Sequence, residues 1–315
     1  MELCRTIKGD IDIKNLGHCQ CHEHLFIKKR VPAKINNSLK IDDYQKTLNE
    51  VIDYKDNGGD SLVDAQPIGT GRIADWLFNV SKRTNVNIIA STGFHKFDFY
   101  KANHWIKNCP MKEYKDIINT EINIGMYEDD IKSDLLYEKK AGIIKTAFII
   151  DKNVNRYKKL LKAASEAARD NGVPIMCHTD FGEDSVEATE IILSTKIPPS
   201  SVIICHLDRK LDNIALHKKV AEMGVFLDYD TIGRFKYHDD EKEIELIEEM
   251  INSGYLGNIL LSLDTTRERL KSYNGDIGLS YILKRFIPKL IEQNIDRSQI
   301  KQMMIKNPKN ALKIY

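Results

Sequence analysis

No uninterrupted apolar run in these 315 residues approaches the roughly 18 needed to span a membrane, and the start, Met1-Glu2-Leu3-Cys4-Arg5, has no long apolar segment of the kind a secretory leader carries. A soluble, unsecreted, cytoplasmic protein without a membrane partner is expected. Net charge is nearly absent too: 47 basic residues against 46 acidic leave +1. That excludes the electrostatic footprint of a nucleic-acid binder and favours small-molecule chemistry. The six cysteines, at 4, 19, 21, 109, 177 and 205, include no Cys-x-x-Cys pair and read as reduced thiols, not as a disulfide frame. There is no linker of Gly/Ser or Pro character, no low-complexity segment and no short repeat. Residues 1–315 are therefore expected to form one domain, a length that parallel α/β barrels reach.

What is present is an alternation of short β-branched runs with amphipathic ones. Strands are predicted at 17–26, 61–64, 86–92, 142–149, 174–179, 202–207, 225–229 and 259–264. Helices are predicted near 42–56, over Ile73 to Val80, near 111–128, at 153–171, 184–194 and 211–223, and near 239–253, 279–293 and 297–313. Eight such alternations predict an α/β fold, the (β/α)8 TIM barrel. The polar and aromatic segment 94–110 is long for a plain connection and is a candidate substrate-covering loop.

Five of the strand-like runs carry or end in polar groups that are metal-competent or, for a lysine, modifiable. Gly17 to Phe26 contains His22 and His24; the others end at Lys145, His178, His206 and Asp264. On an extended strand, residues two apart face the same way at roughly 7 Å, so His22 and His24 can reach one ion. The same alternation sends Cys19, Cys21 and Glu23 to the opposite face, which makes the thiols packing groups. Alone, His-x-His could be a solvated pair, Lys145 a surface lysine at a strand end, and His178 and His206 hydrogen-bonded core histidines. Repetition at the strand ends of a barrel, its catalytic face, favours a metal site. His18, His95, His104, His217 and His238 have no comparable partners and are expected to be structural or to support the site from behind.

These residues also carry a resemblance. His22-Glu23-His24, Val63-Asp64-Ala65, Ser91-Thr92-Gly93-Phe94, Ala141-Gly142-Ile143-Ile144-Lys145, Cys177-His178-Thr179, Cys205-His206 and Leu263-Asp264 resemble the phosphotriesterase-like branch of the amidohydrolase superfamily over essentially the whole chain. The resemblance implies that His22, His24 and Asp264 bind a more buried ion, that His178 and His206 bind a more exposed one, and that Lys145, carboxylated by carbon dioxide, bridges both. Two divalent cations bring about +4, which would repel an unmodified lysine cation and welcome a carbamate. Zinc is the expected metal, with manganese or cobalt able to substitute.

The implied reaction is hydrolysis by a metal-bridging hydroxide, with Asp264 as ligand and general acid–base and Lys145 essential to the centre. In the alignment, Tyr229 stands where organophosphate-hydrolysing members have a relay histidine, and Arg209 replaces an acidic partner after His206. A lactone needs less of a relay, because its leaving alkoxide stays tethered. Arg234, Lys236, Arg267, Lys271 and Tyr273, on the loops after the last two strands, are expected to recognise an anionic substrate. Some members of the family this chain resembles with a similar Cys-His-Glu-His stretch act on phosphorylated aldonolactones, which makes a phosphorylated sugar (aldono-1,4-) lactone the expected substrate. The alternatives are an organophosphate triester or other ester hydrolase, a mononuclear deaminase-like enzyme, and a non-catalytic binding scaffold. A homodimer is compatible with all of these.

Overall fold

In the computed structural model, which describes residues 2–28, 31–127, 138–180, 182 and 184–315, the chain opens with an antiparallel hairpin of β1 (Leu3–Thr6) and β2 (Gly9–Asp12). The sequence pattern did not announce it, because its residues are few, mixed in polarity and only partly buried. Eight strands then follow: β3 (Cys19–Glu23), β4 (Ser61–Asp64), β5 (Asn87–Gly93), β6 (Ile143–Ala147), β7 (Ile175–His178), β8 (Val202–Cys205), β9 (Phe226–Tyr229) and β10 (Ile259–Leu261). Each pairs in parallel with the next, in chain order, and helices lie between them. This is a (β/α)8 barrel.

Helix boundaries follow local chemistry. The helix Val154–Asn171 buries Leu160, Leu161, Ala164 and Ala167 and stops at Gly172, whose φ of 64° is left-handed and whose missing Cβ makes room for the carbonyl of Tyr315. The helix expected near 111–128 ends sooner, at Asn123, and residue 128 lies outside the described residues. Among the described residues no helix is long and apolar enough to cross a membrane, and all six cysteines are buried and unbridged.

Strand alternation sorts the core into two zones. Leu62, Ile88, Ile144, Ile175, Ile204 and Leu227 point outward beneath the helices. Cys19, Cys21, Val63, Ile89, Ile143, Met176, Ile203, Cys205 and Leu260 meet in one apolar layer inside the barrel. Full burial of an Ile, Leu or Val contributes about 1.5–3 kcal/mol, so this layer is a rigid floor for the polar tier above it.

The barrel closes between β3 and β10 by an irregular seam in place of a ladder. Cys21 N and His22 N both donate to Ser262 Oγ, at 2.9 and 3.1 Å, and the β3–β4 register advances three residues against two between Gln20 and Glu23. Successive amides aimed at one acceptor mark a bulge. The bulge corrects one expectation: Cys19 and Cys21 lie in the inner layer, on the same side as His22. Strict alternation holds only up to Cys21, although the thiols are packing groups as expected.

Candidate metal centre and substrate cavity

Above the apolar floor the strands deliver the predicted constellation. His22 is turned inward by the bulge, His24 follows β3, Lys145 sits in the middle of β6, and His178 ends β7. His206 and Asp264 come just after β8 and β10 and enter by left-handed backbone, at φ 70° and 46°. Such conformations cost on the order of 1–3 kcal/mol outside glycine and persist where surrounding bonds impose them. Here the Asp264 N–H donates to His22 O at 3.0 Å. Gly93, at φ 105°, lets β5 pass the Lys145 carbonyl, which accepts from Phe94 N at 2.8 Å; any side chain at Gly93 would collide with that carbonyl.

The six side chains meet. His24 Nε2 and His22 Nε2 lie 3.3 and 3.8 Å from Asp264 Oδ1, His206 Nε2 lies 2.7 Å from His178 Nδ1, and Lys145 Nζ lies 3.0 Å from His22 Nε2. Potential ligand atoms of His22, His24 and Asp264 fall within 4.8 Å of one another, as do those of His206, Asp230 and Asp264. Lys145 is fully buried, so it is not a surface lysine; its amine touches His22 and, at 3.4 Å, Met176 Sδ. No carboxylate lies within salt-bridge reach of it among the described residues.

The donor set suits cations. Burial first, then the nearby Lys145, Lys96 and Arg209 respectively, holds His22, His178 and His206 well below the usual imidazole range, so all three are neutral. Asp230, which the sequence reading missed, spans two of them: its Oδ2 is 2.9 Å from His22 Nδ1 and its Oδ1 2.6 Å from His206 Nδ1. When that carboxylate accepts both Nδ1–H groups, each Nε2 lone pair is left facing inward. On His178, Nε2 meets Asp180 Oδ1 at 3.2 Å, so Nδ1 brings its own lone pair against that of His206. Two acceptors face to face call for a cation. Burial also pushes Asp228 up to about 8, and burial with the neighbouring Asp208 and Asp228 carboxylates pushes Asp230 well up. Raised acids beside depressed bases mark a site whose burial drives both kinds of group toward their neutral forms, the environment in which bound divalent cations would stabilise the carboxylates.

A cavity of about 310 Å³ opens over this cluster. One wall is cationic: Lys96, Arg209, Arg234 and Lys236 outnumber the carboxylates Asp264 and Glu268, and Ile27, Pro32, Leu39 and Phe99 form an apolar flank. Arg234 Nη1 and Arg209 Nη2 donate to Asp264 Oδ2 at 2.5 and 3.3 Å, and Arg234 Nη2 to the Asp264 carbonyl at 3.1 Å. Burial works to raise the Asp264 pKa, but Arg234 and the hydrogen bond with His24 outweigh it and keep the carboxyl well below its usual range. Lys236 lies 4.9 Å over the Tyr237 ring, and Lys96 pairs with Asp180.

The expected recognition residues divide. Arg234 and Lys236 line the cavity, whereas Arg267, Lys271 and Tyr273 do not. The loop after β10 coils through two short turns, Arg267–Arg269 and Lys271–Tyr273, and presents only Thr266 and Glu268 to the cavity. Arg267 stacks 4.8 Å over Tyr273 and donates to Lys40 O at 3.2 Å, the Tyr273 hydroxyl accepts from Asp43 N at 2.9 Å, and Lys271 packs beside Gly278. Segment 94–110 supplies His95, Lys96 and Phe99 to the walls. His95, expected to be structural or to support the site from behind, lines the cavity with its ring 5.0 Å from that of His178, while Lys96 N donates to its Nδ1 at 2.8 Å. Tyr229 faces outward, its hydroxyl 3.0 Å from His217 Nδ1.

Comparison with known proteins matches this arrangement to one family. The model of the phosphotriesterase family matches residues 2–312. The chain is 30% identical over 327 residues to the phospho-furanose lactonase of Mycoplasmopsis synoviae (strain 53), covering 99% of this chain and 92% of that protein. Among solved structures, an amidohydrolase from Mycoplasma synoviae superimposes with a TM-score of 0.94 at 28% identity, over 100% of this chain and 92% of its own. A lactonase from Listeria monocytogenes superimposes with a TM-score of 0.90 at 26% identity, over 99% of each.

Proposed function

This chain belongs to the phosphotriesterase family, and on that premise we propose that it is a metal-dependent lactonase that opens a phosphorylated sugar lactone. The observation that carries this reading is the cavity itself, with neutral imidazoles and Asp264 at its floor and Lys96, Arg209, Arg234 and Lys236 along its wall. A ring ester with an anionic substituent fits floor and wall together.

His22, His24 and Asp264 would hold one divalent ion, zinc by the imidazole content, and His178 and His206 a second, with Lys145 as a carbamate between them. Such a pair of ions supplies a water acidic enough to lose its proton near neutral pH and polarises the ester carbonyl. Asp264 has two faces. Its Oδ1 is turned to the imidazoles and its Oδ2 to the guanidiniums at the cavity edge, so it can take a proton from the nucleophile and pass it to the ring oxygen as the ester bond breaks. Tyr229 is hydrogen-bonded on the outer side of the barrel and cannot relay that proton onward. A tethered alkoxide that recaptures the proton from Asp264 suits this better than the departing group of a phosphotriester. Among the described residues the buried Lys145 amine has no carboxylate partner, so an ammonium there carries an uncompensated cost of several kcal/mol, whereas a carbamate would be compensated by the two cations beside it.

The substrate anion is assigned to the Lys236 and Arg234 side of the wall. Lys236→Met is expected to lower kcat/KM for a phosphorylated lactone by roughly ten- to a hundredfold, the worth of one charge-assisted contact, and to leave the unphosphorylated analogue nearly unchanged. Equal losses on both would remove Lys236 from recognition. A wild type without preference for the phosphorylated compound would contradict the phosphate assignment while sparing the lactonase.

A further inference from the structure

We infer that Glu23 is a positioning residue for the first cation: its carboxylate clamps β3 to the segment after β10 and so fixes the spacing between His22 and His24 on one side and Asp264 on the other. The inference rests on the reading that these three side chains hold a divalent ion. It starts from where the barrel closes. All three come from the one junction that no strand ladder holds, so something else has to set their separation.

Glu23 stands between the two histidines, fully buried, with its side chain on the opposite face. Oε1 accepts from Leu263 N at 2.9 Å and from Gln20 Nε2 at 2.8 Å; Oε2 accepts from Thr265 Oγ1 at 2.8 Å and Thr265 N at 3.3 Å. One carboxylate thus grips the backbone on both sides of Asp264. Pinned at 263 and 265, the chain turns Asp264 inward through its left-handed φ of 46°. The grip extends to the second histidine, because Thr265 Oγ1 accepts from His24 N at 3.2 Å. On the far side Arg269 donates to the carbonyls of Leu263 and, at 3.3 Å, Asp264. Every partner of Glu23 is a donor, so only a carboxylate satisfies them all; an amide would set its own N–H₂ against a backbone N–H.

A buried carboxylate that merely stabilised the fold would cost stability when replaced and leave ion affinity alone. The distinguishing experiment titrates cobalt(II) into chelator-treated wild type, Glu23→Gln, Thr265→Val and Glu121→Gln, followed by visible absorbance, with thermal melting of each. Glu121, fully buried against Arg72 and far from the seam in sequence, is the control for stability loss alone. The expected result is two tight equivalents for wild type and Glu121→Gln. Glu23→Gln keeps one and binds the other roughly ten- to a hundredfold more weakly, as loss of a group supporting metal ligands does. Thr265→Val falls between and carries the inference if Glu23→Gln does not fold. Unchanged cobalt affinity in Glu23→Gln, or an equal weakening in Glu121→Gln, overturns the role of Glu23 and leaves the metal centre standing. A wild type that takes up no cobalt overturns both.

Discussion

Lys145 separates a binuclear centre from any other arrangement of these histidines. Its amine is enclosed, touches His22 and Met176, and projects from the middle of β6. If it bridges two ions as a carbamate, Lys145→Ala removes the anion that offsets their mutual repulsion. The expected outcome is loss of one ion per chain and of nearly all turnover; full activity in that variant would take Lys145 out of the site. The six candidate ligands were legible in the sequence because a metal demands particular side chains and a barrel offers strand ends to carry them. Asp230 and Lys96 were not, since an aspartate behind a ligand and a lysine beside a cavity look like any other charged residues in the chain. Loop position and charge also placed Arg267 and Lys271, with Tyr273 beside them, over the centre. The turns that draw Arg267 onto Tyr273 are set by backbone and packing that charge does not report.

Among the elements, β3 and β10 carry the most consequence. Periodicity located the eight strands and most helices, because alternation by two and stripes by 3.6 follow from burial. It could not locate the bulge at Cys21–His22 or the positive φ of His206 and Asp264, which depend on partners distant in sequence. Ser262 is one such partner: it accepts from two successive amides of β3 and donates to Asp228 Oδ1 at 2.8 Å. Ser262→Ala leaves buried amides unpaired at about 1–3 kcal/mol each. The urea midpoint of that variant should fall accordingly, and a midpoint equal to that of wild type would show that the seam is held without Ser262.

For the molecule as a whole, acid sensitivity has a source outside the metal centre. Burial lowers His18 and His217 to about 4, for His18 against the pull of Asp60. In the unfolded chain both titrate near 6.5, so above that value neither state is charged and their contribution to stability is complete. As the pH falls below it, the unfolded chain takes up protons that the folded chain refuses. Each histidine should then withdraw on the order of 2 kcal/mol between about pH 7 and about pH 5. In urea melts, His217→Gln should lose less stability than wild type over that interval. An equal loss would place the acid sensitivity elsewhere.

The proposed chemistry depends on one property of the molecule, that its barrel holds two divalent ions among His22, His24, Lys145, His178, His206 and Asp264. Elemental analysis of protein purified without chelator and saturated with zinc measures it directly. Two ions per chain are predicted, and one or none at saturation would contradict the account.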